Sequence, residues 1–221
     1  MARIAIGLPS GGLGHVSQAL ALARALPEHE ILFLRGGERE ALRSEGFEVA
    51  AIPTMRTHYR GHSIDTLRTG WEGTRNLFVA GRRTKKVVSI LRDFGPDLVL
   101  TSYEPYTPLA AGRLGIPCIG IDNQRAITEG RYDAVGLIPW WRGAFAIPYL
   151  LWFRTPEYLA FNSFAVSEVR DRAKARAFRP LLAPEVLDLS PRKGDHVVAY
   201  QTTATSRALL KTLERLDVPC H

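Results

Sequence analysis

Cysteine is scarce in this 221-residue sequence, which contains only Cys118 and Cys220. Two cysteines are too few for a disulfide framework, and their neighbours form no Cys/His metal-binding pattern. We therefore expect two unpaired thiols in a protein of a reducing compartment. His58, His62 and Asp65 lie in one predicted loop, but their spacing matches no zinc or calcium motif, so no metal site is predicted.

A charged leader followed by an apolar segment is also missing ahead of the first predicted strand, which begins within a few residues of Met1. Such leaders direct proteins to secretion or to organelles. We therefore predict neither a signal peptide nor a transit sequence, and we expect a cytoplasmic protein.

Acidic residues are the minority charge, with 22 Asp and Glu against 29 Lys and Arg and a formal net charge of +7. An excess of positive charge attracts nucleic acid, anionic membranes or anionic small ligands. The basic residues follow no zinc-finger, RRM or basic-zipper pattern, so nucleic-acid binding is not expected. Most of them, including the run from Arg170 to Arg179, are predicted to lie on solvated helix faces.

Strand-like and helix-like segments alternate along the chain, which is 46% hydrophobic and 23% charged. Strands are predicted at Ile4–Leu8, Glu30–Leu34, Glu48–Ile52, Asp97–Thr101, Pro117–Ile121 and Tyr158–Asn162. Helices are predicted near Val16–Leu26, Glu38–Glu45, Thr66–Phe94, Pro108–Leu114 and Trp140–Phe153. This alternation predicts an α/β fold, with a Rossmann-like parallel sheet and flanking helices.

A glycine-rich turn, Gly11–His15, joins the first predicted strand to the first predicted helix. Glycines let a ligand approach the backbone, and the start of a helix offers free N–H groups to an anion. A Walker loop is excluded because His15 and Val16 stand where lysine and a hydroxyl residue are needed. A dinucleotide motif fits only in part, since Ser17 replaces its third glycine. Arg35 after the second strand leaves an NADP-type site as an alternative.

Polar or glycine-rich residues follow five of the predicted strands, and the carboxyl ends of parallel strands meet at one edge of a sheet. The sequence therefore predicts a crevice at this edge that binds substrate. The candidate substrate-binding residues are Gly11, Gly12, Gly14, Ser102, Asp122, Asn123 and Gln124. A simple polar loop after each strand is the alternative interpretation.

Together with the segments Pro180–Leu187 and Gly194–Tyr200, these motifs resemble the amino-terminal half of a GT-B glycosyltransferase, over essentially the whole chain. The similarity is to bacterial and archaeal transferases like the peptidoglycan N-acetylglucosaminyltransferase, and to family 1 and 28 transferases. The segments that carry the resemblance are Gly11–His15, Ser102–Pro105, Ile121–Gln124, Pro180–Leu187 and Gly194–Tyr200.

The resemblance implies two Rossmann-like domains that face each other, the first holding a sugar acceptor and the second a nucleotide-sugar. The co-substrate would be UDP-linked, and no metal or other cofactor is implied. By position, His15 would be the catalytic base, oriented by an acidic residue. Relatives often carry aspartate at the position of Ser102, so Glu104 or Asp122 would take that role here. A capping or phosphate-binding role for His15 is the alternative.

The resemblance also divides the chain into an acceptor-binding domain, residues 1–189, and a linker with the start of an incomplete donor domain, residues 190–221. In that second part a strand is predicted at 196–200 and a helix at 205–216. We therefore expect a truncated transferase that is inactive as the isolated chain. A partner chain with a donor domain, self-association, or a non-catalytic ligand-binding role are the alternatives.

The segment 137–154 is rich in aromatic residues and flanked by arginines, a pattern typical of helices at a membrane interface. It is too short and too interrupted to span a bilayer. Peripheral contact with the inner face of a membrane is one interpretation, and a core helix is the other. The expected acceptor is a small molecule, a lipid-linked molecule or a polysaccharide.

Overall fold

A computed structural model of the protein describes residues 1–55, 58–60, 63–121, 123–131, 158–162, 168–179, 181–199 and 207–220. The strands are β1 (Arg3–Leu8), β2 (Glu30–Arg35), β3 (Glu48–Ala51), β4 (Tyr59–Arg60), β5 (Ser63–Ile64), β6 (Leu98–Thr101), β7 (Cys118–Gly120), β8 (Gly130–Arg131), β9 (Tyr158–Asn162), β10 (Glu168–Val169) and β11 (Ala175–Phe178). The helices are α1 (Leu13–Arg24), α2 (Glu40–Arg43), α3 (Thr66–Phe94), α4 (Tyr106–Leu114), α5 (Arg125–Glu129), α6 (Pro184–Leu187) and α7 (Arg207–Leu213).

Seven of these strands form one sheet in the order β11-β9-β7-β6-β1-β2-β3, and every neighbouring pair is parallel. Two small antiparallel pairs, β4 with β5 and β8 with β10, lie outside it. The predicted Rossmann-like parallel sheet is therefore confirmed. Because parallel strands share a direction, the loops after β1, β2, β6 and β7 all leave from the same edge.

Both faces of the sheet are covered, which explains the nearly continuous apolar runs of its central strands. On one face, Ala5 and Leu32 pack with Val87 and Leu91 of α3 and with Ala110 of α4. On the opposite face, side chains of alternating position, such as Ile6 and Phe33, pack with α1 and α2.

The long helix α3 begins and ends at residues with clear local signals. The Asp65 carboxylate accepts a hydrogen bond from the Arg68 N–H at 2.9 Å, which caps the first turn. Gly95 ends the helix in the left-handed region, with φ 61°, and Pro96 follows it. The predicted bounds of this helix, and those of β9, agree with the structure.

The carboxy-terminal part differs from the prediction at two places. Residues Ala175–Phe178, predicted on a solvated helix face, form β11 at the edge of the sheet, paired with β9. An edge strand has a neighbour on one side only, so exposed basic side chains are tolerated there. In place of the strand predicted at 196–200, the described residues show an isolated bridge between Val197 and Cys220.

The aromatic segment 137–154 lies outside the described residues, and so does Tyr200. Within the described parts of the chain, no helix combines the length and apolar content needed to cross a bilayer.

Candidate active site

The strand order reverses between β1 and β6, with β2 and β3 on one side and the remaining strands on the other. At such a switch point the loops after the two central strands diverge and leave a crevice at the carboxyl edge, where ligands bind in open α/β sheets. The glycine turn follows β1, and Ser102 to Pro105 follow β6. The topology thus brings two of the predicted loops to the position where a ligand is expected.

The glycine turn leaves room beside its backbone. Gly12 has φ 81°, a conformation that favours glycine, and it stands directly before α1. A Cβ atom added at Gly11 or at Gly14 would meet no atom within 4 Å among the described residues. Packing within the described chain therefore does not require glycine at these two positions. The cap residue Gly12 has no side chain that could bond to the first turn of α1, and the start of a helix offers its N–H groups to an anion.

His15 and Ser102 connect the two central loops. The His15 Nδ1 atom lies 2.8 Å from the Ser102 Oγ atom, although 87 residues separate them along the chain. Ser102 is itself fixed, since it is buried and its backbone N–H donates to the Gly7 carbonyl at 2.8 Å. Burial, and then the positive charge of Arg35, lower the pKa of His15 below its usual range. The imidazole is thus held in one orientation and kept neutral at pH 7.

Tyr103 packs against the same imidazole. The two rings are nearly parallel, at 9°, with their centroids 6.4 Å apart. Tyr103 has φ 55° and is the one non-glycine residue with positive φ in the part of the chain that the structure describes. Strained backbone of this kind is concentrated at functional sites. Tyr103 was not predicted as a site residue, because no local pattern signals a contact between separate loops.

Arg35 places a buried cation beside the glycine turn. The residue is 3% exposed, and its Nη2 atom lies 3.5 Å from the carbonyl oxygen of Ser10. Its buried Nε atom has no hydrogen-bond partner among the described residues. Burial lowers the pKa of the guanidinium, while Glu38 opposes this effect. A buried guanidinium with an unused donor can bind an anionic ligand in the crevice.

Glu104 is bound to the start of α4. Its two carboxylate oxygens accept the backbone N–H groups of Tyr106 at 2.9 Å and of Thr107 at 2.6 Å. Burial outweighs these hydrogen bonds and raises the pKa of Glu104 to about 7. The carboxylate therefore caps the start of α4, whereas the hydrogen bond to the His15 ring comes from Ser102. A catalytic role for Glu104 remains a prediction, and Asp122 lies outside the described residues.

Asn123 and Gln124 follow β7 at the same edge, one strand farther from the switch point. The Asn123 carbonyl oxygen accepts the N–H of Ala126 at 3.0 Å, which forms the turn into α5. Gln124 occupies the cap position of that helix. Their substrate-binding role stays a prediction.

Comparison with known proteins decides the family, because residues 2–221 match the model of glycosyl transferase family 1. The chain belongs to this family. A protein of Methanosarcina mazei described as an uncharacterized glycosyltransferase is 31% identical over 126 residues, which cover 55% of this chain and 33% of that protein.

Solved glycosyltransferases share the fold of this family 1 chain. The glycosyltransferase SsfS6 of Streptomyces sp. SF2575 matches with a TM-score of 0.56 and 16% identity, over 97% of this chain and 64% of SsfS6. MurG of Acinetobacter baumannii matches with a TM-score of 0.53 and 17% identity, over 99% of this chain and 57% of MurG. SsfS6 has also been solved with thymidine diphosphate. The predicted resemblance to GT-B glycosyltransferases is confirmed, while the chain spans about one third of the Methanosarcina relative and less than two thirds of the two solved chains.

Proposed function

We propose that this chain forms the acceptor side of a GT-B glycosyltransferase, which moves a sugar from a nucleotide-sugar to an acceptor hydroxyl. The observation that carries the proposal is the His15–Ser102 hydrogen bond across the switch point, beside a glycine turn with open space around it. The acceptor would be a small molecule, a lipid-linked molecule or a polysaccharide.

His15 would act as the general base. When its Nδ1–H donates to the Ser102 oxygen, Nε2 keeps its lone pair and can accept the proton of the acceptor hydroxyl. The acceptor oxygen then bonds to the anomeric carbon, while the bond from that carbon to the diphosphate breaks and its electron pair leaves with the diphosphate. Ser102 orients the ring but carries no charge, so the resulting imidazolium needs a further source of stabilisation.

The leaving diphosphate can supply that stabilisation. It would bind at the glycine turn, with the N–H groups of α1 and the Arg35 guanidinium as donors. Burial and, after it, repulsion from Arg35 lower the pKa of His15 in the free protein, and negative charge near Arg35 offsets the second of these causes. Substrate binding would thus make His15 a stronger base when a proton has to be accepted.

The test of this proposal is His15→Ala in an enzyme form that includes a complete donor domain. Loss of a general base lowers turnover by roughly two to four orders of magnitude. Donor affinity should change little, because the proposed contact of His15 is with the acceptor. His29→Ala is the matched control, since His29 precedes β2 at the opposite edge of the sheet, and its turnover should stay normal. Near-normal turnover of His15→Ala would eliminate the base assignment.

The division at residue 189 is also proposed, with residues 1–189 binding the acceptor and residues 190–221 belonging to the linker and the donor side. No described residue in 190–199 or 207–220 is buried, as expected for a linker and a domain that is not complete within these residues. A helix N-terminus contributes about 0.3–2 kcal/mol to anion binding, whereas micromolar affinity needs about 8 kcal/mol. Calorimetry of the 221-residue chain with UDP-, TDP- and GDP-sugars should therefore show millimolar or weaker binding. Micromolar binding would place the donor site within these residues.

The proposal includes UDP as the nucleotide and a donor domain supplied by a partner chain or by a second copy. Membrane contact through residues 137–154 stays a prediction, since that segment lies outside the described residues.

A further inference from the structure

The amino-terminal half of α3 exposes three large apolar side chains. Leu67 is 87% exposed, Trp71 is 74% exposed and Phe78 is 87% exposed. Their spacing of four and seven residues places them in one line along the helix. We call this line the α3 stripe. The opposite side of the helix carries buried residues such as Asn76, Val87 and Leu91, so the α3 stripe faces away from the core.

A row of basic residues runs beside the α3 stripe. Arg68, Arg75, Arg82 and Lys86 are all exposed, and their spacing of seven, seven and four residues keeps them on one side of the helix. Of the two acidic residues in α3, Glu72 is hydrogen-bonded to His58 and Asp93 lies in the last turn. The four basic residues therefore outnumber the single acidic residue, Glu72, in the part of α3 beside the stripe.

We propose that the α3 stripe and the basic row bind the surface of an anionic lipid bilayer, with α3 lying in the plane of the interface. Apolar side chains enter the boundary between headgroups and acyl chains, and arginine and lysine attract anionic headgroups. Tryptophan is favoured at that boundary because its ring is apolar and its N–H is polar.

A second copy of the chain, or the aromatic segment 137–154 of the same chain, could also cover this face. The charges argue against both. A second copy of the chain docking through the same face would bring one basic row against another, which is repulsive. The aromatic segment 137–154 carries Arg142 and Arg154 and no acidic residue, so it lacks the negative charge that would complement the basic row. An anionic bilayer supplies apolar depth and negative charge together.

The position of α3 relates this surface to the candidate active site. A helix of 29 residues is about 44 Å long, roughly twice the length of a six-residue strand. The chain enters α3 from the carboxyl edge of β3, so the part that carries the α3 stripe lies toward the edge of the glycine turn. Arg83 fixes the helix there, donating to the Thr54 carbonyl at 3.0 Å and to the Tyr106 hydroxyl at 2.9 Å.

Vesicle flotation tests the charge requirement without measuring transfer activity, so it is independent of the proposed function. The chain should bind vesicles that contain phosphatidylglycerol and should not bind vesicles of phosphatidylcholine alone. Each basic residue at an anionic surface contributes about fivefold to partitioning, so Arg75→Gln/Arg82→Gln should bind roughly 30-fold more weakly. Arg172→Gln/Arg176→Gln removes the same charge from another exposed region and should bind normally. Equal loss in both variants would overturn the proposal.

The apolar requirement has its own pair of variants. Trp71→Ser/Phe78→Ser should lose at least about tenfold in partitioning to the same anionic vesicles. Leu187→Ser/Leu189→Ser, at positions 67% and 68% exposed, is the matched control and should bind normally. Unchanged binding of the α3 variant would show that another segment, such as 137–154, holds the membrane.

Fluorescence distinguishes the occupants directly. Trp140→Phe/Trp141→Phe/Trp152→Phe leaves Trp71 as the sole tryptophan of the four. Its emission should be that of a solvated indole in buffer and should shift to the blue on addition of anionic vesicles. Blue-shifted emission without vesicles would overturn the proposal: dependence on protein concentration would indicate a second copy, and independence would indicate cover by the chain itself.

Discussion

The two ends of the seven-stranded sheet differ in the number of side chains that are buried around them. Around β1, β2, β3, β6 and β7, the described residues form two core clusters of twelve and eleven buried side chains, one on each face. Around β9 and β11 the corresponding cluster has three members, Ala126, Leu159 and Ala175. The described residues beyond 180 include none that is buried. Burial on folding is thus concentrated at the end where the glycine turn and Ser102 lie.

The difference in packing explains where side chains can be held in the precise geometry that a site needs. At the well-packed end, a Cβ atom at Gly7 would come within 2.8 Å of the Thr107 Cβ atom, so β1 and α4 are in close contact. Such packing fixes Ser102 and the ring of His15. By contrast, α6 contacts α1 through an exposed Arg24–Glu185 ion pair of 2.9 Å, which solvent screens and which therefore holds α6 only weakly.

The largest expected contrast is between a leucine of the packed core and a leucine of the exposed helix α6. Leu91 is fully buried against the sheet, so Leu91→Ala should lower the free energy of unfolding by about 2–5 kcal/mol. Leu187 in α6 is 67% exposed, and Leu187→Ala should change the free energy of unfolding by less than about 0.5 kcal/mol. Urea denaturation followed by circular dichroism measures both. A loss at Leu187 as large as that at Leu91 would contradict the comparison.

The second largest expected effect is a dependence of stability on pH, which comes from the buried carboxyl group of Glu104. Because the pKa of Glu104 rises from 4.5 to about 7 on folding, the folded protein holds a proton that the unfolded chain releases. The contribution of Glu104 is therefore fully present below pH 4.5 and is lost as the pH rises to about 7. This loss amounts to about 3 kcal/mol.

Urea midpoints measured across this pH range test the effect. Glu104→Gln cannot ionise, so its stability should fall less steeply with pH than that of the unchanged protein, and the two curves should converge at acidic pH. Parallel curves at all pH values would show that the carboxyl group keeps its ordinary pKa in the folded state.

Local signals explain which parts of the structure could be predicted. The bounds of α3 follow from the Asp65 cap and from Gly95 with Pro96, all of which are visible in the sequence. The central strands are predicted because burial on both faces makes them apolar throughout. Strand β11 was missed because it is short and basic, and only its pairing with β9 defines it.

The candidate site could be predicted only to the level of loops. The parallel order predicted from the sequence puts the loops after β1 and β6 at the same edge of the sheet, and the strand order makes them neighbours. Among the described residues, the register of β1 on β6 brings Ser102 to the His15 ring, and Glu104 binds the start of α4. The acidic partner expected for His15 stays a prediction. Contacts of this kind, including the Tyr103 ring and the burial of Arg35, depend on tertiary geometry that no local pattern records.

The smallest expected effect is that of Gly14→Ala in the glycine turn, which should change stability and activity in opposite directions. Gly14 lies in the first turn of α1 with open space around it, and its φ is not positive. Gly14→Ala should therefore stabilise the protein by about 0.5–1 kcal/mol, because alanine loses less backbone entropy in a helix. Gly7→Ala, where the added atom collides with Thr107, should instead destabilise it by about 1–3 kcal/mol.

If a ligand approaches the turn, Gly14→Ala should also lower turnover in the enzyme with a complete donor domain, since the methyl group occupies that space. A variant that is more stable and fully active would show that the open space at Gly14 is not used by substrate, and the anion site would then have to lie nearer Arg35.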